Sequence, residues 1–172
     1  MSGSYQDLLQ EFQESKKKRS EFNRDSKILI VDGLNTFVRA FAVVPTRNDD
    51  GLHVGGIGGC LRSIGAAIRK FNPTRCVVVF DGKGGSKRRK EIFGGYKSGR
   101  SSSSPYNRNY DFENEDRDES MRRQVQRTIH YLEACPVTLV SMDFVEADDV
   151  IAYTSQQLYP EKEAVIMSSD RD

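Results

Sequence analysis

Four short apolar runs rich in Val or Ile punctuate the chain: Lys27–Val31, Cys76–Phe80, Val137–Val140 and Ala164–Met167. Each is long enough for a strand buried on both faces. Between them the apolar spacing changes to about 3.6 residues, the period of a helix with one buried stripe. Ile57, Leu61, Ile64, Ile68 and Phe71 follow it, as do Met121, Val125, Ile129 and Leu132. Asn35–Val43 and Ala147–Leu158 are predicted helices too. Strands alternating with helices of this length predict an α/β fold, with a mostly parallel central sheet and helices on its faces.

Two stretches stand outside this alternation. Residues 4–24 form a lead-in, with Leu8, Leu9 and Phe12 as one apolar patch ahead of Lys16, Lys17, Lys18 and Arg19. It reads as a helix or a partly disordered segment, which sets residues 1–26 apart from a domain over 27–172. From Gly82 to about Glu115 there is almost no apolar periodicity, only Gly84-Gly85, Gly94-Gly95, Gly99 and the run Ser101–Ser104 before Pro105. An insertion of more than thirty residues without core signal is usually functional or disordered, and this one is expected to stand over a site as a mobile segment.

Composition narrows the class. With 37% hydrophobic and 30% charged residues in 172, one domain of the cytosolic kind is expected. No apolar run approaches membrane-spanning length, and the start of the chain has its charges after its few apolar residues, unlike a secretory signal. Cys60, Cys76 and Cys135 are odd in number, widely spaced and set in apolar stretches, so core thiols are expected instead of disulfides or zinc ligands.

The net charge of +1 hides a segregation. Lys83–Arg100 holds seven Lys or Arg and one acid, Glu91, whereas Asp111–Glu119 holds six acids and one Arg. The basic stretch attracts an anion such as a phosphodiester backbone, or else forms a solvated loop.

The candidate chemistry lies in the acids. KILIV runs into Asp32, CVVVF into Asp81, and AVIMSS into Asp170, with Asp172 two residues on. In an open parallel sheet the strand C-terminal ends share one edge, where ligand crevices form, so these acids should converge. Glu146, Asp148 and Asp149 stand at the start of the helix predicted from Ala147. A helix N-terminus explains one or two acids there, and hardly three. Seven carboxylates in a crevice of reduced dielectric repel one another unless some are protonated or cations neutralise them. An all-oxygen set favours Mg²⁺ or Mn²⁺ over zinc. A site so acidic suits two ions, which can activate a water and stabilise a leaving oxygen in phosphodiester hydrolysis.

Taken together, these segments resemble the 5′ nuclease family, which includes the flap endonucleases and the 5′ nuclease domain of bacterial DNA polymerase I. VDGLNTFVRAF from Val31 resembles its first motif, and VVFDGKGGSKRRKEIFGGYKSGR from Val78 its second acidic motif and basic arch. VEADDVIAY from Val145 and SSDRD from Ser168 resemble the third and fourth. The resemblance implies a resolvase-like or PIN-like 5′ nuclease core, with a flexible helical arch over about 82–117. It also implies metal-dependent cleavage at 5′ ends of branched or RNA-primed DNA. Asp32, Asp81, Asp148 and Asp170 would then serve one metal site, directly or through water, and Asp172 the second, with Glu146 and Asp149 in the same acidic set. Arg89 and Lys97 match arch cations that contact the scissile phosphate, with Arg88 an alternative to Arg89 because the alignment needs one extra residue after Asp81. Tyr96 matches a residue that stacks on a base, and Lys90 and Arg100 belong to the same basic stretch. A cation facing the metals stabilises charge building on the phosphate, and an aromatic ring offers stacking to an unpaired base. Gly55 and Gly56 begin the helix that precedes Leu61, where a glycine-rich start either approaches phosphate closely or forms a plain tight turn.

Family members continue beyond the fourth motif with a further metal-site acid, more sheet and a helical region that grips duplex DNA, frequently with bound K⁺. A missing C-terminal half or a second polypeptide is therefore an expected partner, in the cytoplasm or nucleoid of a bacterium or of a phage-infected one. Two other readings stand beside the nuclease. One is a relative that binds branched DNA, or docks on a replication protein, without cutting. The other is an acidic α/β phosphatase using a strand-end Asp as nucleophile.

Overall fold

The computed structural model describes residues 9–10, 13–14, 27–92, 94 and 116–168. Strands β1 (Lys27–Asp32), β2 (Arg75–Asp81), β3 (Thr138–Met142) and β4 (Glu163–Met167) form one sheet in the order β3-β2-β1-β4, with every pairing parallel. They coincide with the four apolar runs to within one or two residues. Helices α1 (Gly33–Val43), α2 (Gly55–Phe71) and α4 (Arg117–Glu133) cover one face, and α5 (Ala147–Tyr153) covers the other. A short helix, α3 (Lys87–Ile92), follows β2.

Side chains alternate along a strand, so each strand is divided between two cores. Leu29, Val31, Cys76, Val78 and Phe80 point to the face of Phe37, Phe41, Cys60, Ile64 and Leu132. Ile28, Ile30, Val77 and Val79 point to Ala147, Val150 and Ile151 of α5. The helix predicted over Ala147–Leu158 is α-helical to Tyr153 and closes in a π-turn over Thr154–Leu158. Asn72, in the left-handed conformation at φ 46°, ends α2.

Two expectations change, for Cys135 and for the buried face of α4. Cys60 and Cys76 are buried, and burial pushes their thiols up to about 12 and about 11, but Cys135 is exposed. In the stretch after Gly82, where a helical arch is expected, α3 is helical and its described side chains are exposed or half-buried, so the lack of apolar period there reflects a helix outside the core. On α4 the fully buried face is Ser120, Gln124, Thr128 and Leu132, while the periodic Met121, Val125 and Ile129 are only partly buried beside it.

That polar face closes a network. Gln124 Oε1 accepts from the N–H groups of Gly56 (2.9 Å) and Ile57 (3.4 Å), satisfying two free donors at the start of α2. Its Nε2 donates to Ser120 Oγ (3.2 Å) and to His53 Nδ1 (3.1 Å), which places the His53 proton on Nε2, donating to the Val44 carbonyl at 2.7 Å. Gly55 and Gly56 are buried under these contacts. A Cβ on Gly55 would lie 1.8 Å from the Val44 oxygen, and one on Gly56 2.8 Å from the Phe37 ring. The glycine-rich start is thus a packing device, and the Gly56 amide faces Gln124 instead of solvent.

Candidate functional site

The pleat that buries Ile28 and Ile30 puts Asp32 on the same face, and Val77 and Val79 do the same for Asp81. Asp32 pairs in register with Val79, so Asp81 stands two residues, roughly 6–7 Å, farther along the adjacent strand. Both carboxylates emerge on the face covered by α5, whose first turn contains Asp148 and Asp149. Local pattern and parallel topology therefore deliver acids from β1, β2 and α5 to one edge.

Each acid has distinct partners. Asp32 is only 7% exposed and caps α1, accepting from the Asn35 amide at 3.0 Å. Ser168 Oγ donates to its other oxygen at 3.5 Å. Burial raises the Asp32 carboxyl above its ordinary value, and the negative charges of Asp148 and Asp81 push it the same way, against the Asn35 and Ser168 hydrogen bonds. Asp81 Oδ1 accepts from the Ala147 amide at 2.8 Å, so a strand-end Asp on β2 caps α5 from across the site. Glu146 occupies the N-cap position of α5, yet its side chain makes no cap bond. It is 2% exposed and pairs with Arg89 Nη1, while Arg89 Nη2 pairs with Asp149 at 2.5 Å.

The predicted set is thereby divided. The charges of Asp148 and Asp81 reach Asp32, which burial already disfavours as an anion. Glu146 and Asp149 are joined to α3 by one guanidinium. Among the described residues no group of three or more His, Cys, Asp or Glu side chains is arranged to hold a metal ion. The donor chemistry still fits a hard cation: the acids offer oxygen alone, and Asp32 is held among like charges that a cation would neutralise. Lys90 is exposed on α3. Asp170, Asp172, Tyr96, Lys97 and Arg100 lie outside the described residues, as does the side chain of Arg88.

A groove of about 530 Å³ runs between α1, α2 and the end of β4, with Arg39 and Arg62 on its walls and Asn35, Ser63 and Ser168 among its polar lining. Both arginines are exposed. Because Asn35 and Ser168 also bond Asp32, the groove opens beside the acidic edge. Arg39 and Arg62 sit on different helices, and only the packing of α1 on α2 brings them to one groove.

This architecture defines an open parallel α/β protein with a carboxylate-rich strand edge. The chain belongs to the 5′-3′ exonuclease family, whose N-terminal resolvase-like domain matches residues 27–172. It is 29% identical over 147 residues to a 5′-3′ exonuclease of Aquifex aeolicus, covering 84% of this chain and 46% of that protein. It is 27% identical over 148 residues to DNA polymerase I of Bacillus caldotenax, covering 85% of this chain and 15% of that one. In fold it is similar to bacteriophage T5 flap endonuclease, solved as a complex with DNA and metal ions, with TM-score 0.61 and 20% identity over 84% of this chain and 49% of that one. The chain thus spans about half, or less, of the length of these relatives. Among the described residues no helix is long and apolar enough to cross a membrane.

Proposed function

We propose that this chain is the N-terminal catalytic part of a metal-dependent, structure-specific 5′ nuclease, hydrolysing phosphodiesters near the 5′ ends of branched or RNA-primed DNA in bacterial or phage replication or repair. The observation that carries the reading is the gathering of Asp32, Asp81 and Asp148 at one strand edge, with Asp32 disfavoured as an anion by burial first and by the charges of the other two as well. In this reading residues 27–172 form the nuclease part and 1–26 a lead-in.

Asp32, Asp81, Asp148 and Asp170 would hold one Mg²⁺ or Mn²⁺, and Asp172 a second. Such ions, when bound, supply Lewis acidity and an activated water. The chain's own residues do the rest. Asp81 and Asp32 cap helices α5 and α1 while facing the site, so the carboxylates are positioned by the fold before substrate arrives. Arg89 occupies Glu146 and Asp149, and Glu146 is too buried to remain without a cation. Arg89 turns to the scissile phosphate only when another positive charge takes its place, which links cation binding to phosphate contact. Lys97 would add a second positive group there, and Tyr96, Arg88, Lys90 and Arg100 would hold the strand. Arg39 and Arg62 extend the cationic path away from the edge along the groove.

Cleavage of a 5′-flap substrate with and without Mg²⁺ or Mn²⁺ tests the reading. Metal-dependent cutting, by the chain alone or with a completing C-terminal segment added, supports it, whereas flap binding that stays without cutting even then supports a second reading, a non-cleaving DNA-structure binder. The proposal extends to a further segment or polypeptide that completes the family's length. In its support, Ile166 on edge strand β4 is half-exposed, as are Tyr153 and Leu158 in the helical turns that precede that strand. Restoration of cleavage by an added C-terminal segment of a relative, with a matching rise in solution size, checks this.

A further inference from the structure

Phe144 follows β3 in the left-handed backbone region, at φ 64°. A bulky side chain is strained there, because its Cβ crowds the neighbouring carbonyl oxygen. The other described non-glycine residue with positive φ is Asn72, at the helix cap where asparagine tolerates it. Phe144 is no such cap, and burial does not offset its strain. It is 61% exposed and belongs to neither core.

The neighbouring backbone holds it in place. Phe144 N–H donates to the Lys83 carbonyl at 3.0 Å, Val145 N–H to the Met142 carbonyl at 3.2 Å, and Lys83 N–H to Asp143 Oδ1 at 3.1 Å. Gly82, directly after Asp81, lies so close that a Cβ there would stand 1.7 Å from the Met142 oxygen. The turn leaving Asp81 and the loop entering Glu146 are therefore stapled together. The Phe144 ring rests against that turn: a Cβ on Gly84 would be 3.3 Å from its Cδ1 and 4.0 Å from the Cβ of Lys87. Lys83 and Lys87 are both exposed. An open aromatic face is thus fixed among cations, two residues from Glu146.

Strain that is over-determined by its surroundings and repaid by no packing is characteristic of functional positions. We propose that Phe144 is a stacking platform for a nucleobase of the strand whose backbone meets the acidic edge. The proposal rests on the nuclease reading above. Every base has a π-face, so Phe144 fixes the position of the strand without selecting its sequence.

The test uses a 5′-flap oligonucleotide with 2-aminopurine in its unpaired strand, titrated with the chain in calcium to suppress cleavage. Stacking on the ring quenches the fluorophore. Phe144→Tyr should keep both quench and affinity. Phe144→Leu and Phe144→Gly should lose the quench and bind roughly 5- to 100-fold more weakly. Phe144→Gly should also raise the melting temperature by roughly 2–10 °C, since glycine relieves the strain. Retained affinity in Phe144→Gly overturns the proposal. So does retained affinity in Phe144→Leu, which would show that the ring covers an apolar part of the protein instead. If the unsubstituted chain does not bind the flap even with a completing C-terminal segment of a relative added, the nuclease reading fails and takes this proposal with it. Flap binding that is indifferent to every Phe144 variant overturns the stacking role alone.

Discussion

The seam between α2 and α4 and the edge above α5 both hide polar side chains from water, and they do so in opposite ways. At the seam, His53, Ser120 and Gln124 are fully buried and their hydrogen bonds form a matched donor–acceptor chain that ends on the backbone of Val44 and Gly56. At the edge, Asp32 and Glu146 are nearly as buried, yet acids outnumber the described cation that meets them. A satisfied network stabilises and positions a helix. Like charges gathered in a crevice cost stability, and a fold keeps such a cluster where a cation or substrate completes it.

The largest effect should come from the edge. Asp81→Asn keeps an oxygen for the Ala147 amide but removes a negative charge, so flap cleavage should fall by roughly 10²–10³-fold or more, with folding unchanged and DNA affinity equal or higher. Single-turnover cleavage and a melting curve on the same sample check this. Near-normal turnover would remove Asp81 from the site and erase the contrast with the seam.

At the seam the same kind of change should act on stability instead. Gln124→Leu strands the Gly56 amide, the His53 ring and the Ser120 hydroxyl together, and should cost about 2–4 kcal/mol. Denaturant titration reads this directly. A loss under about 1 kcal/mol would mean that water replaces the glutamine and the network is dispensable.

The groove allows a subtler separation. Arg39→Ala and Arg62→Ala should leave the melting temperature within error, because both residues are exposed. Each should weaken flap binding several-fold and lower the slope of log affinity against log salt by about 1. An unchanged salt slope would place the groove off the nucleic-acid path.

The smallest effect is a gain. Asp32→Asn can still cap α1 while removing the anion that burial, Asp148 and Asp81 disfavour. The folded-state value of Asp32 is raised, so its ionisation subtracts stability as pH rises above its unfolded value, and that stability is present only at lower pH. Without divalent ions the substitution should therefore stabilise the protein at pH 7, and the gain should vanish below about pH 4, as denaturant titration at the two pH values reads. Destabilisation at pH 7 would show that the Asp32 charge is already compensated.

The amino-acid sequence alone determined the alternation of strands and helices and the placement of Asp32 and Asp81 on one edge. Both follow from local periodicity: apolar runs that end in Asp, joined by helices, leave parallel strands whose C-terminal ends must coincide. The polar seam was invisible to that logic, because Ser120, Gln124 and Thr128 look like a solvated helix face until α2 brings its free amides to them. The pairing of Arg89 with Glu146 and Asp149 spans 57 and 60 residues, the bond from Gly56 to Gln124 spans 68, and the groove needs side chains from two helices. Only the tertiary structure decided these, as it decided the strained, open position of Phe144. Periodicity reports which face of an element is apolar, whereas the partner of a polar side chain depends on strand register and helix docking, which are settled between segments far apart in the chain.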